Sequence, residues 1–226
     1  MLKDWTKFEK IFLVLGTVTA IFLTIAFKSI WVDLASTLLY FWTAILQAKG
    51  KYACYILGIF CASFYAYVSF CNAYYGEVML EVFCTIPLMI AGLINWLRHQ
   101  DDTNTVVIKE ISRKELIIVL LSQILVFIGV YYLLKVFNTD NLVASTLSVV
   151  ASIVATYLNA RRCEYGFISF IINDLILIIL WGIPVINGNT SLIPVLLCPI
   201  LLLIGDIYGI YNWRRIKYNQ KTLTVS

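Results

Sequence analysis

Eight apolar runs, each long enough to cross about 30 Å of hydrocarbon, divide this chain almost from end to end. They fall at approximately 11–28, 30–48, 53–74, 78–97, 115–137, 141–160, 164–186 and 190–213. Of the 226 residues, 61% are hydrophobic and 13% charged, with a mean hydropathy of +0.87. Globular domains are nearer half apolar and a quarter charged. No soluble fold of this length buries so much apolar surface, so lipid must cover part of it. The first run passes at once into Lys28 and a second apolar segment, with no clear cleavage site. It reads as a retained helix rather than a signal peptide.

The basic residues test the count. With the N-terminus inside, the cytoplasmic loops receive Lys3, Lys7, Lys10, Lys49, Lys51, Arg98, Lys109, Arg113, Lys114, Arg161, Arg162, Arg214, Arg215, Lys217 and Lys221. Only Lys28 and Lys135 remain outside. Basic residues resist translocation, so short loops carry this bias. A seven-helix count would break the alternation. The expectation is an all-α integral membrane protein of eight helices with both termini cytoplasmic.

An internal repeat organises the helices. The second helix carries Ala35-Ser36-Thr37-Leu38 after Asp33, and the sixth carries Ala144-Ser145-Thr146-Leu147. Both end at paired basic residues, Lys49/Lys51 and Arg161/Arg162. The fourth helix ends Gly92-Leu93-Ile94-Asn95-Trp96, and the eighth ends Gly209-Ile210-Tyr211-Asn212-Trp213. Helices two to four therefore correspond to helices six to eight, at an offset growing from about 109 to 117. A directly fused second copy of three helices would be inverted, so the unmatched fifth helix restores its direction. This predicts an extra helix over 1–29, a first triple-helix bundle over 30–98 and a cytoplasmic loop with linker helix over 99–138. A second bundle over 139–216 and a tail over 217–226 complete the chain. Parallel repeats of this kind are a transporter architecture, with cargo held near the midplane between them.

Ionisable and amide groups at membrane depth mark the candidate site, because each costs at least ~2.5–3.5 kcal/mol unless it faces a cavity or a partner. Glu81 lies about one turn into the fourth helix, Asn173-Asp174 near the middle of the seventh, and Asp206 two turns from the end of the eighth. Gln123 lies in the linker helix. Helix–helix hydrogen bonds are the alternative for Asn173 and Gln123, and snorkelling to the boundary for Glu81 and Asp206. Trp96, Trp213, Trp31 and Tyr74-Tyr75 sit at span ends and read as interfacial belts. Phe167, Phe170, Trp181, Trp42 and Tyr65 lie deeper. Phe170 shares a helix face with Asn173 and Asp174, an aromatic plate beside acceptors that suits a flat heterocycle bearing hydroxyls.

Other chemistries find no support. Cys54, Cys61, Cys71, Cys84, Cys163 and Cys198 form no CxxC pair and read as small apolar packers. No GxxxxGK[ST] loop offers a nucleotide site, the lone His99 sits in a loop, and neither HExxH nor GxSxG occurs. No cofactor, metal or nucleic acid is implied.

These features together resemble the PnuC vitamin transporters, a family similar in fold to the SWEET sugar transporters. The resemblance covers roughly residues 30–215, on the helix layout and on Tyr75-Gly76-Glu77, Gly92-Leu93-Ile94-Asn95-Trp96 and Arg161-Arg162-Cys163-Glu164 running on to Asn173. In that family the seventh helix carries Glu-Asn-Trp-x-x-Trp and then Asn or Asp, and the Trp and Asn residues contribute to a nicotinamide riboside site. Glu164 and Asn173 match; Gly166 and Ser169 stand at the tryptophan positions, with Phe167 and Phe170 one residue along. The resemblance implies facilitated diffusion of a nucleoside-like vitamin, with nicotinamide riboside first and thiamine, riboflavin or a deoxynucleoside as alternatives, trapped inside by phosphorylation. Asn173, Gln123 and Asp174 would hydrogen-bond the cargo, Phe170 and Trp181 would stack on it, and Phe167, Glu81 and Asp206 complete the set. The implied partners are that small molecule and the bilayer, with a homo-oligomer left open. Two rival classes remain: a non-transporting sensor or assembly protein, and an enzyme acting on lipid head groups through Glu81 and Asp206 in an open cavity.

Overall fold

The computed structural model describes residues 5–27, 31–71, 75–139 and 141–223. Lys3, Lys28 and Tyr74 lie outside these, as do the side chains of Asp33, Ser36, Cys71, Tyr75 and Glu77. The helices are α1 (Lys7–Ala26), α2 (Trp31–Ala48), α3 (Ala53–Cys71), α4 (Tyr75–Leu80), α5 (Ile86–Leu97), α6 (Arg113–Val136), α7 (Leu142–Ala160), α8 (Tyr165–Ile186) and α9 (Ile193–Leu223). A π turn, Glu81–Thr85, joins α4 to α5 into one span. Among the described residues, six apolar helices are long enough to cross a bilayer, and α2 and α3 add the shorter apolar stretches Thr37–Ala48 and Ala53–Tyr67. The main departure is at the end: α9 runs on to Leu223 where a tail was expected from 217.

The bundles are α2, α3 and α4–α5 in one repeat, and α7, α8 and α9 in the other. They meet along two seams, α2 against α9 and α5 against α7, which a two-fold exchange of the repeats converts into each other. The hydrogen bonds obey the same exchange. Asn95 Nδ2 donates to Ala160 O (2.7 Å) and Trp96 Nε1 to Asn159 O (2.9 Å). Asn212 Nδ2 donates to Ala48 O (2.9 Å) and Trp213 Nε1 to Gln47 O (2.9 Å). Each Asn-Trp pair thus caps orphan carbonyls at the end of the other repeat's first helix.

This corrects the belt assignment for two tryptophans. Trp96 and Trp213 are fully buried, because an indole that donates to a buried carbonyl is held in the seam and cannot sit among head groups. Their rings lie 5.5 Å apart between the bundles. Tyr55 meets Trp96 edge-on at 4.9 Å and Phe167 meets Trp213 edge-on at 5.0 Å. Trp31, by contrast, is exposed.

These caps also refine the register. Ala48 and Ala160, which accept equivalent bonds, are 112 positions apart, one helical turn on from the 109 of the Ala-Ser-Thr match. A slip of three residues keeps nearly the same face outward, so sequence similarity alone does not detect it. The turns that follow are equivalent too. Gly50 (φ 66°) and Arg162 (φ 64°) both take the left-handed conformation that closes a helix C-terminus. The next N–H groups return to Leu46 O and Leu158 O.

Outside the 3+1+3 layout, α1 packs on α2 and α9, while the linker α6 packs on α7. Thr6 and Ser112 cap the two helices, accepting from Glu9 N–H and Glu115 N–H. Those two glutamates then pair with the ends of α2 and α7, Glu9 with Lys49 and Glu115 with Arg161.

The hydrophilic connection from 98 to 112 does not hang free. Val106 is buried in the same core cluster as Trp96 and Trp213. Its N–H donates to Gly50 O, and Lys109 N–H donates to Arg162 O, so the segment straps the basic ends of both bundles. Gln220, on the extension of α9, donates to Asp101 Oδ2 (3.0 Å) and Val106 O (3.0 Å). Lys217 and Lys221 hold Glu110. Hydrogen bonds from those two lysines keep the Glu110 carboxyl below its usual range. At Asp101, burial pushes upward but hydrogen bonds from Thr103, Gln220 and Thr105 outweigh it and hold the carboxyl low. A depressed carboxyl stabilises the fold above its unfolded value and loses that contribution as pH falls through the folded one. The strap is therefore expected to stay clasped at neutral pH and loosen below about pH 4. A spin label at Asp102→Cys should sharpen in that range and not above it.

Candidate functional site

The deepest polar cluster lies where α8 and α9 face the first bundle. Asp174 and Asp206 are 1% and 4% exposed, and their carboxyl groups meet across the α8–α9 contact. Asp206 therefore does not snorkel: its rotamer points to Asp174 and away from the boundary. Cys198 of α9 lies within electrostatic reach of Asp174 and faces Thr37 of α2. Tyr40 of α2 continues the cluster toward Cys61, Tyr65 and Glu81, which places Glu81, at the first position of the π turn, on its far side. Among the described residues no Lys or Arg forms an ion pair with either aspartate, so two acidic groups dominate the local field.

Asn173 turns the other way. It is 8% exposed, and its Oδ1 accepts from Ser148 Oγ of α7 at 2.7 Å. Its amide N–H groups make no hydrogen bond within the protein among the described residues. Phe170, Asp174 and Trp181 share one stripe of α8, four and seven residues apart, and both rings are half-buried. The two rings flank Asp174 on α8, Phe170 one turn before it and Trp181 two turns after it.

Two candidates stand elsewhere. Phe167 is fully buried, and a Cβ at Gly209 would lie 2.3 Å from its ring. Its place is the joint between α8 and α9. Gln123 returns its Nε2 to Val119 O of its own helix, and its Oε1 is buried with no hydrogen bond; α6 packs on α7, away from the α2–α9 seam. Gly166 has a steric role: a Cβ there would lie 2.9 Å from Asn159 N and 3.1 Å from Ala155 O. The tryptophan that the family pattern sets at that position has no room against this backbone.

Ser148, Thr37, Tyr40, Cys61 and Cys198 were not among the expected residues. A hydroxyl or thiol in an apolar run carries no signal of its own, since such groups commonly bond their own helix. The signal that could have found them is shared depth with Asp174.

Two parallel bundles facing each other across a buried polar cluster are the build of a membrane transporter. The family model described as nicotinamide mononucleotide transporter matches residues 30–215, and the chain belongs to that family. The nicotinamide riboside transporter PnuC of Neisseria mucosa is 29% identical over 223 residues, covering 94% of this chain and 82% of that protein. The nicotinamide riboside transporter PnuC of Haemophilus influenzae is 23% identical over 218 residues, covering 94% and 92%. In fold, the chain is similar to the crystal structure of the vitamin B3 transporter PnuC, with a TM-score of 0.82, 23% identity and coverage of 96% and 94%.

Proposed function

We propose that this protein is a facilitator that carries nicotinamide riboside across the cytoplasmic membrane. Its basic end and both termini are cytoplasmic, and the bundles over 30–98 and 139–216 rock about the polar cluster. The observation that carries this reading is the pair Asp174–Asp206 beside Phe170 and Trp181 on α8. A pyridinium ring is flat and cationic, so aromatic faces and carboxylates both attract it. Asn173 donates to a ribose hydroxyl or to the carboxamide oxygen. Gly209 and Phe167 seat α9 against α8, and so hold the two aspartates together. Capture by cytosolic phosphorylation then draws cargo inward, without a driving ion and without chemistry on this chain. Thiamine also carries a flat cationic ring, and the same test separates the two.

Vesicles bearing the purified protein should fill with labelled nicotinamide riboside, and excess unlabelled nicotinamide riboside should compete better than thiamine, riboflavin or deoxynucleosides. Asn173→Ala and Phe170→Ala should each lower uptake about tenfold, the worth of one hydrogen bond or one aromatic contact of ~1.4 kcal/mol. Full uptake by both variants would sink the site; empty wild-type vesicles would sink the substrate. The enzyme alternative needs an aspartate open to head groups, and Asp206 at 4% exposure is closed to them.

A further inference from the structure

The two seams between the bundles are alike in their Asn-Trp caps and unlike in what stands beside them. At the basic end of the α2–α9 seam, Glu9 of α1 is 1% exposed. It accepts from Lys49 Nζ at the end of α2 (2.8 Å), from the Tyr208 hydroxyl of α9 (2.8 Å) and from Thr6 N–H (2.7 Å). Lys49 Nζ also sits 5.1 Å from the centroid of the Trp5 ring. Phe8 lies 4.8 Å from Tyr208, ring to ring. One buried carboxylate thus ties α1 to both bundles at a single level.

Among the described residues the α5–α7 seam has no buried ionic tie of this kind; beside its Asn-Trp cap the Tyr55 hydroxyl of α3 donates to Asn159 Oδ1 (3.1 Å), a bond between neutral groups. Glu115 of α6 is 27% exposed and pairs with Arg161 of α7 at 2.6 Å. The residue on α5 that corresponds to Tyr208, at the offset of 117 set by the tryptophans, is Ala91. Alanine has no side-chain donor. Among the described residues, helix α6 reaches the fourth span at its far end, where Val130 and Leu134 join Leu80 and Cys84. Parting the α2–α9 seam would take the Tyr208 donor from a buried carboxylate that then keeps Lys49 and Thr6, a charge-assisted bond lost in a dry site. Parting the α5–α7 seam at the same level breaks, among the described residues, only bonds between neutral groups and leaves the half-solvated Glu115–Arg161 pair intact on α6 and α7.

The geometry points to α1 as a staple that keeps the α2–α9 seam shut at the basic end throughout the cycle, so that the α5–α7 seam is the one that opens there to release cargo. This gives the helix outside the family model a function, and it rests on the transport reading above. The π turn Glu81–Thr85 lies on the opening side, where a widened helical turn is a natural joint.

Cysteine cross-links test it. A Cβ at Gly205 would lie 3.3 Å from that of Ala44, close to disulfide range, so Ala44→Cys with Gly205→Cys should oxidise readily in the inner half of the stapled seam. The pseudo-equivalent pair on the other seam is Leu88→Cys with Thr156→Cys. Each bond is verified by peptide mapping, and uptake of labelled nicotinamide riboside into vesicles is compared before and after oxidation. The 44–205 bond should leave at least half of the uptake; the 88–156 bond should cut it at least tenfold, reversibly with reductant. A tenfold loss from the 44–205 bond, its failure to form, or full uptake with the 88–156 bond in place overturns the staple. Wild-type vesicles that do not fill overturn the transport reading instead. If the 44–205 variant is inactive when reduced, hydrogen exchange on the wild type decides: nicotinamide riboside should alter exchange across 86–97 and 142–160 but not across 31–48, and the reverse pattern refutes the proposal.

Discussion

Gly166→Ala is expected to lower the melting temperature of the purified protein by about 5–10 °C, the equivalent of ~2–3 kcal/mol of overpacking in a chain of this size. The added methyl would meet Asn159 N at 2.9 Å and Ala155 O at 3.1 Å. Both are backbone atoms of α7, held by that helix's own hydrogen bonds, so nothing nearby can turn aside. Gly129→Ala makes the contrast. Nothing lies within 4 Å of a Cβ at that position in α6, and alanine is the better helix former by ~1 kcal/mol, so this variant should melt at or slightly above the wild type. Gly166→Trp should not accumulate as folded protein. A tolerated tryptophan at 166, read by thermal melt and by size-exclusion profile, would mean that α7 and α8 are farther apart than described. It would also return the family's aromatic position to Gly166 rather than to its neighbours.

That glycine shows where sequence reasoning reaches and where it stops. Matching it to a tryptophan position made it a missing ligand contact; in the fold it is the point of closest approach between two helices. The Asn-Trp repeats were visible in the chain and do mark equivalent helix ends. Their placement at span ends suggested a head-group belt, since depth along one helix says nothing about a neighbour's carbonyl. Asp206 was ambiguous for the same reason: two turns from a boundary allows snorkelling, and only the proximity of Asp174 on another helix decides against it. Apolar length is a property of single segments, so the all-helical membrane class was legible; the count of eight was less so, because α2 and α3 carry only the shorter apolar stretches Thr37–Ala48 and Ala53–Tyr67. The strap over 98–112 reads as a polar loop because one buried valine, Val106, carries its packing. Thr37, Tyr40 and Cys198 were invisible because polarity that small becomes meaningful only beside an acidic pair.

Removing charge from that pair should separate cargo by charge. Asp174→Asn keeps the shape of the carboxyl group and can donate an amide N–H to Asp206, so the α8–α9 joint should fold normally. What changes is the field. One carboxylate about 6 Å from a pyridinium nitrogen, at an effective dielectric near 20, contributes ~3 kcal/mol, or about a hundredfold in Kd. Nicotinamide riboside should therefore bind Asp174→Asn about a hundredfold more weakly, measured by calorimetry on purified protein. Its reduced dihydropyridine form has the same ribose and carboxamide but no ring charge, and should bind wild type and variant alike within about threefold. Asp206→Asn should behave in the same way, and the double variant should bind the cation more weakly than either single, because each single variant keeps one acidic group beside the ring. Equal weakening of the charged and reduced ligands would instead assign the aspartates to holding the bundle together. A variant that binds the cation as tightly as wild type would remove the acidic pair from the site altogether.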